Sequence, residues 1–205
     1  MWRSVPLVLL CFASASAFQV STPIIDGVEE DWEIVIKTTD VTAAGPQITT
    51  TMCPGPVEDH PDANFNLNYR EGESFLAGGL QIEVFDGDQV LTTADARTES
   101  LQTDNETITW TQRLSVSDST AYYLVKSGLS TTWGSFGGTE LSVSFPTTLT
   151  DMSNYTPDVS TANSGVGWQS DHVSSMQLLQ VRYYSGNTLV STDSTPRTIL
   201  PAVTP

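Results

Sequence analysis

The chain has 205 residues, and its 24 Asp and Glu against 8 Lys and Arg give a formal net charge of −16. That charge repels nucleic acid and anionic membrane surfaces, which makes both poor partners. Aromatic residues at 9% supply the apolar area of a packed core and argue against disorder.

At the N-terminus, Arg3 precedes an apolar run from Val5 to Phe12 and the small residues Ala13 to Ala17. This is the layout of a secretory signal peptide with an A-x-A site, so residues 1–17 are expected to be removed before Phe18 and the protein to be exported. Ala15-Ser16-Ala17-Phe18 also resembles the cleavage motif of plastid precursors. The transit peptide that would follow such a motif is basic, whereas Asp26, Glu29, Glu30 and Asp31 follow here, and simple export is the expectation. The apolar run falls short of the ~20 residues of a membrane span, and no later stretch reaches that length. Removing 17 of 205 residues leaves 188, which suits one domain, placed at 18–193. Cys11 is expected to leave with the leader, and Cys53 then reads as a small buried hydrophobe, with stability coming from packing and not from an intrachain disulfide.

Period-2 alternation then recurs along the chain. Trp32 to Lys37 places Trp32, Ile34 and Ile36 on one face. Ile48 to Cys53, Phe65 to Arg70, Leu80 to Val84, Ile108 to Val116, Ala121 to Val125, Leu141 to Phe145 and Met176 to Tyr184 read as further strands. Asp86-Gly87 and Gly186-Asn187 mark tight hairpins, and Ser117 to Thr120 is a polar turn. About ten strands with one apolar face each predict an all-β fold, an antiparallel two-sheet β-sandwich of the jelly-roll type. Thr147 to Gln169 is long for a structureless loop, so it carries function or hides a short element. Residues 194–205 contain three prolines and read as a C-terminal tail.

The chemistry of common active sites is missing. Gly134-Ser135-Phe136-Gly137 and Ser164-Gly165-Val166-Gly167 lack the spacing of a nucleophile elbow. Asp171 and His172 are adjacent, and neighbouring strand residues point to opposite faces. Met52, Cys53 and His60 lie in the wrong order for a mononuclear copper site, and no zinc spacing occurs. Glu29-Glu30-Asp31-Trp32-Glu33 is tempting as a source of paired carboxylates for glycan cleavage. These acids read better as a solvated entrance to the strand that opens at Trp32. Asp86 and Asp88 offer carboxylates for calcium, which needs six to eight converging oxygens. Their alternative reading is ordinary hairpin chemistry.

Trp32 and Trp110 read as core. Trp133 and Trp168 are embedded among Gly, Ser, Thr and Gln, and Tyr155 follows Asn154. Flat rings on glycine-flexed loops beside amides are how proteins stack sugar rings, so Trp133, Trp168, Tyr155, Asn154 and Gln169 form the candidate ligand-binding set. The alternative is that the rings plug the ends of the sandwich.

Ile108-Thr109-Trp110 through Tyr123-Leu124-Val125-Lys126-Ser127-Gly128 resembles the Trp-opened strand and Tyr-x-x-x-x-Gly hairpin of the concanavalin A-like, laminin-G-type jelly rolls. Leu178 to Tyr184 is similar to that family's closing strand, with Gln180 where an aspartate usually precedes the Val-Arg step. The two segments cover about a fifth of the chain and imply the fold, with carbohydrate or surface binding by analogy. The expected function is therefore an exported, non-catalytic binder of polysaccharide or another extracellular polymer. A structural or adhesive surface protein and a two-carboxylate glycan-cleaving enzyme are the alternatives.

Overall fold

A computed structural model describes residues 22–54 and 61–200. The expected signal peptide, His60 and the Glu58-Asp59 acids lie outside the described residues. Thirteen strands among them form two antiparallel sheets. The larger contains β1 (Gly27–Ile36), β6 (Thr107–Ser117), β7 (Thr120–Ser130), β8 (Gly134–Phe136), β9 (Ser142–Pro146), β11 (Val173–Ser185), β12 (Thr188–Asp193) and β13 (Arg197–Leu200). Its main path runs β12-β11-β1-β6-β7-β8, with β13 on the other half of β11 and β9 on the first half of β7. The smaller contains β2 (Gln47–Met52), β3 (Asp62–Tyr69), β4 (Gly78–Asp86), β5 (Gln89–Ala96) and β10 (Gly165–Trp168), in the order β10-β2-β3-β4-β5. This is an all-β two-sheet sandwich, compatible with a jelly roll. No helix of the described residues is long and apolar enough to cross a membrane.

Alternation places the core. Val28, Trp32, Ile34 and Ile36 of β1 and Ile108, Trp110, Leu114 and Val116 of β6 face inward, against Phe65, Leu67, Leu80, Ile82 and Val84 of the smaller sheet. Trp32 and Trp110 stack with ring centroids 6.3 Å apart, and Phe65 meets Trp110 edge-on at 5.7 Å. Burying each of these side chains contributes about 1.5–3 kcal/mol. Cys53, just past β2, is buried. The expected hairpins are present: Gly87 and Gly186 have positive φ, and Asp118 and Ser119 turn β6 into β7 with φ of 51° and 61°.

The stretch from Thr147 to Gln169 hides short elements, one of the two expected readings: a helix, α1 (Pro157–Ala162), and the edge strand β10. Three expectations need correction. First, β1 begins at Gly27 and lies between β11 and β6, so Glu29, Glu30 and Asp31 are inside a central strand and are not a solvated entrance. Second, part of the tail, Arg197–Leu200, pairs with β11, and Ile199 and Leu200 pack on the core. Third, Thr139–Leu141 is a 3-10 turn, so β9 starts at Ser142.

Candidate functional site

The inward position of Glu30 puts a carboxyl between the sheets, where polar partners surround it. Trp32 Nε1 donates to it at 3.0 Å and Gln112 Nε2 at 2.7 Å, and the Tyr155 hydroxyl donates as well. The amide oxygen of Gln112 accepts from Tyr123 of the same sheet and from Thr50 of the other, both at 2.9 Å. Burial pushes the Glu30 carboxyl above its usual value despite the bonds from Tyr155, Gln112, Trp32 and Ser160.

On the opposite, outer face of β1, Glu29 and Asp31 meet the cations of the neighbouring strands. Glu29 accepts from Arg113 at 3.2 Å, from Arg182 at 3.1 and 3.2 Å, from Tyr184 at 3.0 Å and from Lys126. Asp31 takes a bidentate pair from Arg182 at 2.6 and 2.7 Å, with Thr111 at 2.7 Å and Gln180 at 2.5 Å. Burial pushes both carboxyls up, but Lys126, Tyr184 and Arg113 hold Glu29, and Arg182, Gln180 and Thr111 hold Asp31, below their usual values. Every carboxylate oxygen of the pair is occupied, so neither is free to act as nucleophile or general base. Asp171 and His172 lie on a 3-10 turn, where a strand was expected.

The residues of the expected binding set separate. Trp133 is 6% exposed, and its indole N–H donates to the Glu99 carbonyl at 2.8 Å. Tyr155 is buried, and its hydroxyl lies 2.7 Å from Ser160 Oγ while it donates to Glu30. Both rings therefore plug the core and offer no open face. Asn154 is exposed on the turn before Tyr155. Gln169 has left-handed backbone at φ 53°, and its Nε2 donates to Asp40 at 3.1 Å. Its Oε1 packs so closely on Gly45 that a Cβ there would sit 1.5 Å away, and any larger residue would push the Gln169 amide aside. Asp86 and Asp88 stand exposed on the β4–β5 turn, and no group of three or more acids, His or Cys forms a metal site among the described residues.

Trp168 is different. It is 40% exposed on the edge strand β10, with the Arg70 guanidinium 3.9 Å from its ring centroid. It pairs with Gln47, two residues from Thr49, which puts it on the outer face of the smaller sheet. That face carries a continuous polar row. Gly165, Thr49, Asn66, Gln81 and Asp95 lie directly opposite one another across all five strands. Four strand spacings make the row about 19 Å long. A second row joins Thr51, Asn64, Glu83 and Thr93. Thr49 donates to Asn66 and Thr51 to Asn64, both at 2.6 Å, and Asn66 donates to Glu83 at 3.4 Å.

The middle of this band is roofed. Ser74 bonds Glu83, whose carboxyl is raised by burial, and Phe75 packs edge-on against Tyr69 at 5.2 Å. Asn163 and Ser164 bond Thr51 from the other side. Two cavities remain at the ends. One, of about 420 Å³, is lined by Thr49 of β2, the 162–164 segment after α1, and Gly165, Val166 and Gly167 of β10, the strand that carries Trp168. The other, of about 170 Å³, is lined by Gln81, Asp95, Arg97 and the 74–78 segment. Composition missed this face, although Gln47, Thr49, Thr51, Asn64, Asn66, Gln81 and Glu83 already alternate with apolar residues as amides, hydroxyls and one acid in place of the usual lysines. No protein-family model, no curated protein and no solved structure matches the chain.

Proposed function

We propose that this is a non-catalytic carbohydrate-binding β-sandwich of the concanavalin A-like type, acting outside the cell after export, with its binding surface on the outer face of the five-stranded sheet. The observation that carries the reading is the 40%-exposed Trp168 ring on edge strand β10, the strand whose Gly165 and Gly167 line a cavity of about 420 Å³. That volume lies within the ~300–1,000 Å³ of small-molecule sites. An indole offers the apolar C–H face of a sugar a stacking surface. Thr49, Asn163 and Ser164 exchange hydrogen bonds with hydroxyls. A Cβ on Gly165 or Gly167 would meet nothing within 4 Å, so these glycines leave the cavity open. Support for a binder over a glycan-cleaving enzyme comes from Glu29 and Asp31, which alternate with Glu33 on the outer face of β1 and have every carboxylate oxygen already engaged by Arg113, Lys126, Arg182 and neighbouring hydrogen-bond donors.

The test is affinity electrophoresis of the full chain in gels containing neutral and acidic polysaccharides. Trp168→Ala should weaken retention by about 1–3 kcal/mol, the scale on which buried aromatic area counts. Gly167→Val should do the same by filling the cavity, with unchanged melting temperature. Retention that neither substitution alters would refute the reading.

A further inference from the structure

The cavity at the far end of the polar row holds an unmet hydrogen-bonding group. Gln81 is 3% exposed, its Nε2 donates to the Gly78 carbonyl, and its Oε1 is buried with no hydrogen-bond partner among the described residues. Buried polar atoms are rarely left so, because the cost of an unmade bond is large. Gln81 lines the cavity of about 170 Å³, and Asp95, directly opposite it on β5, lines the same space from an exposed position. The remaining charged group in the wall, Arg97, is engaged elsewhere: it bonds Glu140 at 2.9 Å, the Ser135 carbonyl at 3.0 Å and the Trp133 carbonyl at 3.4 Å.

We infer that this cavity is a subsite for one hydroxylated ring, a single sugar residue, whose vicinal hydroxyls donate to Gln81 Oε1 and to the Asp95 carboxylate. The inference rests on the carbohydrate-binding reading above and gives it a second, separate contact point. Gln81 Oε1 and the Asp95 carboxylate are acceptors, so an occupant that meets both must donate, and the Ser74 and Thr98 hydroxyls of the same wall can donate or accept in turn. The Arg97 guanidinium in the same wall disfavours a cation, which leaves neutral donors. Phe75, Leu76 and Ala77 add apolar surface to the wall, suited to the C–H side of a pyranose. The volume is well below that of a drug-sized site, so it has room for one ring and no more.

The experiment is an NMR titration of the full chain with methyl β-D-glucopyranoside, methyl β-D-galactopyranoside and methyl α-D-mannopyranoside, observing the Gln81 side-chain amide and the Asp95 backbone amide. At least one glycoside should shift both signals saturably. Asp95→Ala should weaken that binding about tenfold, as loss of a charge-assisted hydrogen bond does. Trp168→Ala should leave it unchanged, because the ring stands at the opposite end of the row. If polysaccharide retention depends on Trp168 while no glycoside shifts Gln81, the subsite is wrong and the broader reading survives. If butylammonium shifts Gln81 where the glycosides do not, the cavity is a cation site and the inference fails. Glycoside binding at Gln81 with no polysaccharide retention would keep the subsite and overturn the Trp168 surface.

Discussion

At Glu29 one carboxylate, 4% exposed at its side chain, gathers Arg113, Lys126, Arg182 and Tyr184. Removing a single partner from such a group leaves charge uncompensated in a poorly solvated place. Arg182 bridges Glu29 and Asp31, so Arg182→Met should destabilise the fold by about 3 kcal/mol in urea unfolding. An effect within the scatter of surface substitutions would show that Arg113 and Lys126 suffice. The acids of β1 also have opposed pH signatures. Glu29 and Asp31 titrate below their usual values of 4.5 and 3.8 in the fold, so their stabilisation is present above those values and is lost as pH falls through the folded ones. Glu30 is raised above 4.5, so its ionisation costs nothing below that value and costs more as pH rises through the folded one. Glu30→Gln removes that titration. Whatever its constant offset, the stability of Glu30→Gln relative to wild type should climb as pH rises above about 4.5 and level off once the folded carboxyl has ionised. A difference independent of pH would show that Glu30 does not titrate in the fold as its burial implies.

Among the elements, the runs with clean alternation were legible in the sequence: the β6–β7 hairpin, β3, β4 and most of β11 carry apolar side chains at every second position. The start of β1 was not, because Glu30 occupies an inward position and breaks the apolar pattern that marks a strand. Its partners Gln112 and Tyr155 are 82 and 125 residues away, and spacing cannot reveal them. β10 and β13 were missed for a similar reason: four residues each are too few to show a period. The same limit split the candidate site. Trp133 and Trp168 sit in comparable glycine-rich surroundings, yet one is fixed by the Glu99 carbonyl under a loop and the other stands on an edge strand. Trp133→Ala should therefore cost roughly 3–5 kcal/mol, as Trp32→Ala and Trp110→Ala should, while Trp168→Ala stays within about 0.5 kcal/mol. Denaturant melts of the four variants separate the classes, and a strongly destabilised Trp168→Ala would place that ring in the core. β7 offers a second check. A Cβ on Gly128 would lie 2.2 Å from the Phe136 ring, which is wedged in the core against Phe65. Gly128→Ala should cost about 1–3 kcal/mol by overpacking.

Across the whole molecule, charge is distributed unevenly. Of eight Lys and Arg in the chain, Arg113, Lys126 and Arg182 converge on Glu29, which leaves most of the acids among the described residues without a salt-bridge partner. A net charge of −16 works against the compact state through self-repulsion. Added salt then has two opposite effects. It screens repulsion among exposed carboxylates, since the Debye length falls from ~30 Å at 0.01 M to ~8 Å at 0.15 M. It also weakens attraction within ion pairs, but buried pairs are screened much less than exposed ones. The pairs that matter here surround a carboxylate that is 4% exposed, whereas the repelling acids are largely on the surface. Repulsion should therefore be the term that salt changes most. Raising sodium chloride from 0.01 to 0.15 M should stabilise the protein by about 1 kcal/mol, which at this size is a rise of roughly 2–4 °C in melting temperature. Chloride is the proper anion, because sulfate strengthens apolar burial in any protein and would raise the melting temperature regardless. Calorimetric melts along this series decide the matter. A melting temperature that falls with salt would mean that the Glu29–Asp31 cluster, and not surface repulsion, governs the electrostatic part of stability. Arg182→Met, lacking the bridge of that cluster, would then lose the salt dependence, whereas under surface repulsion it should keep the same upward slope as the wild type.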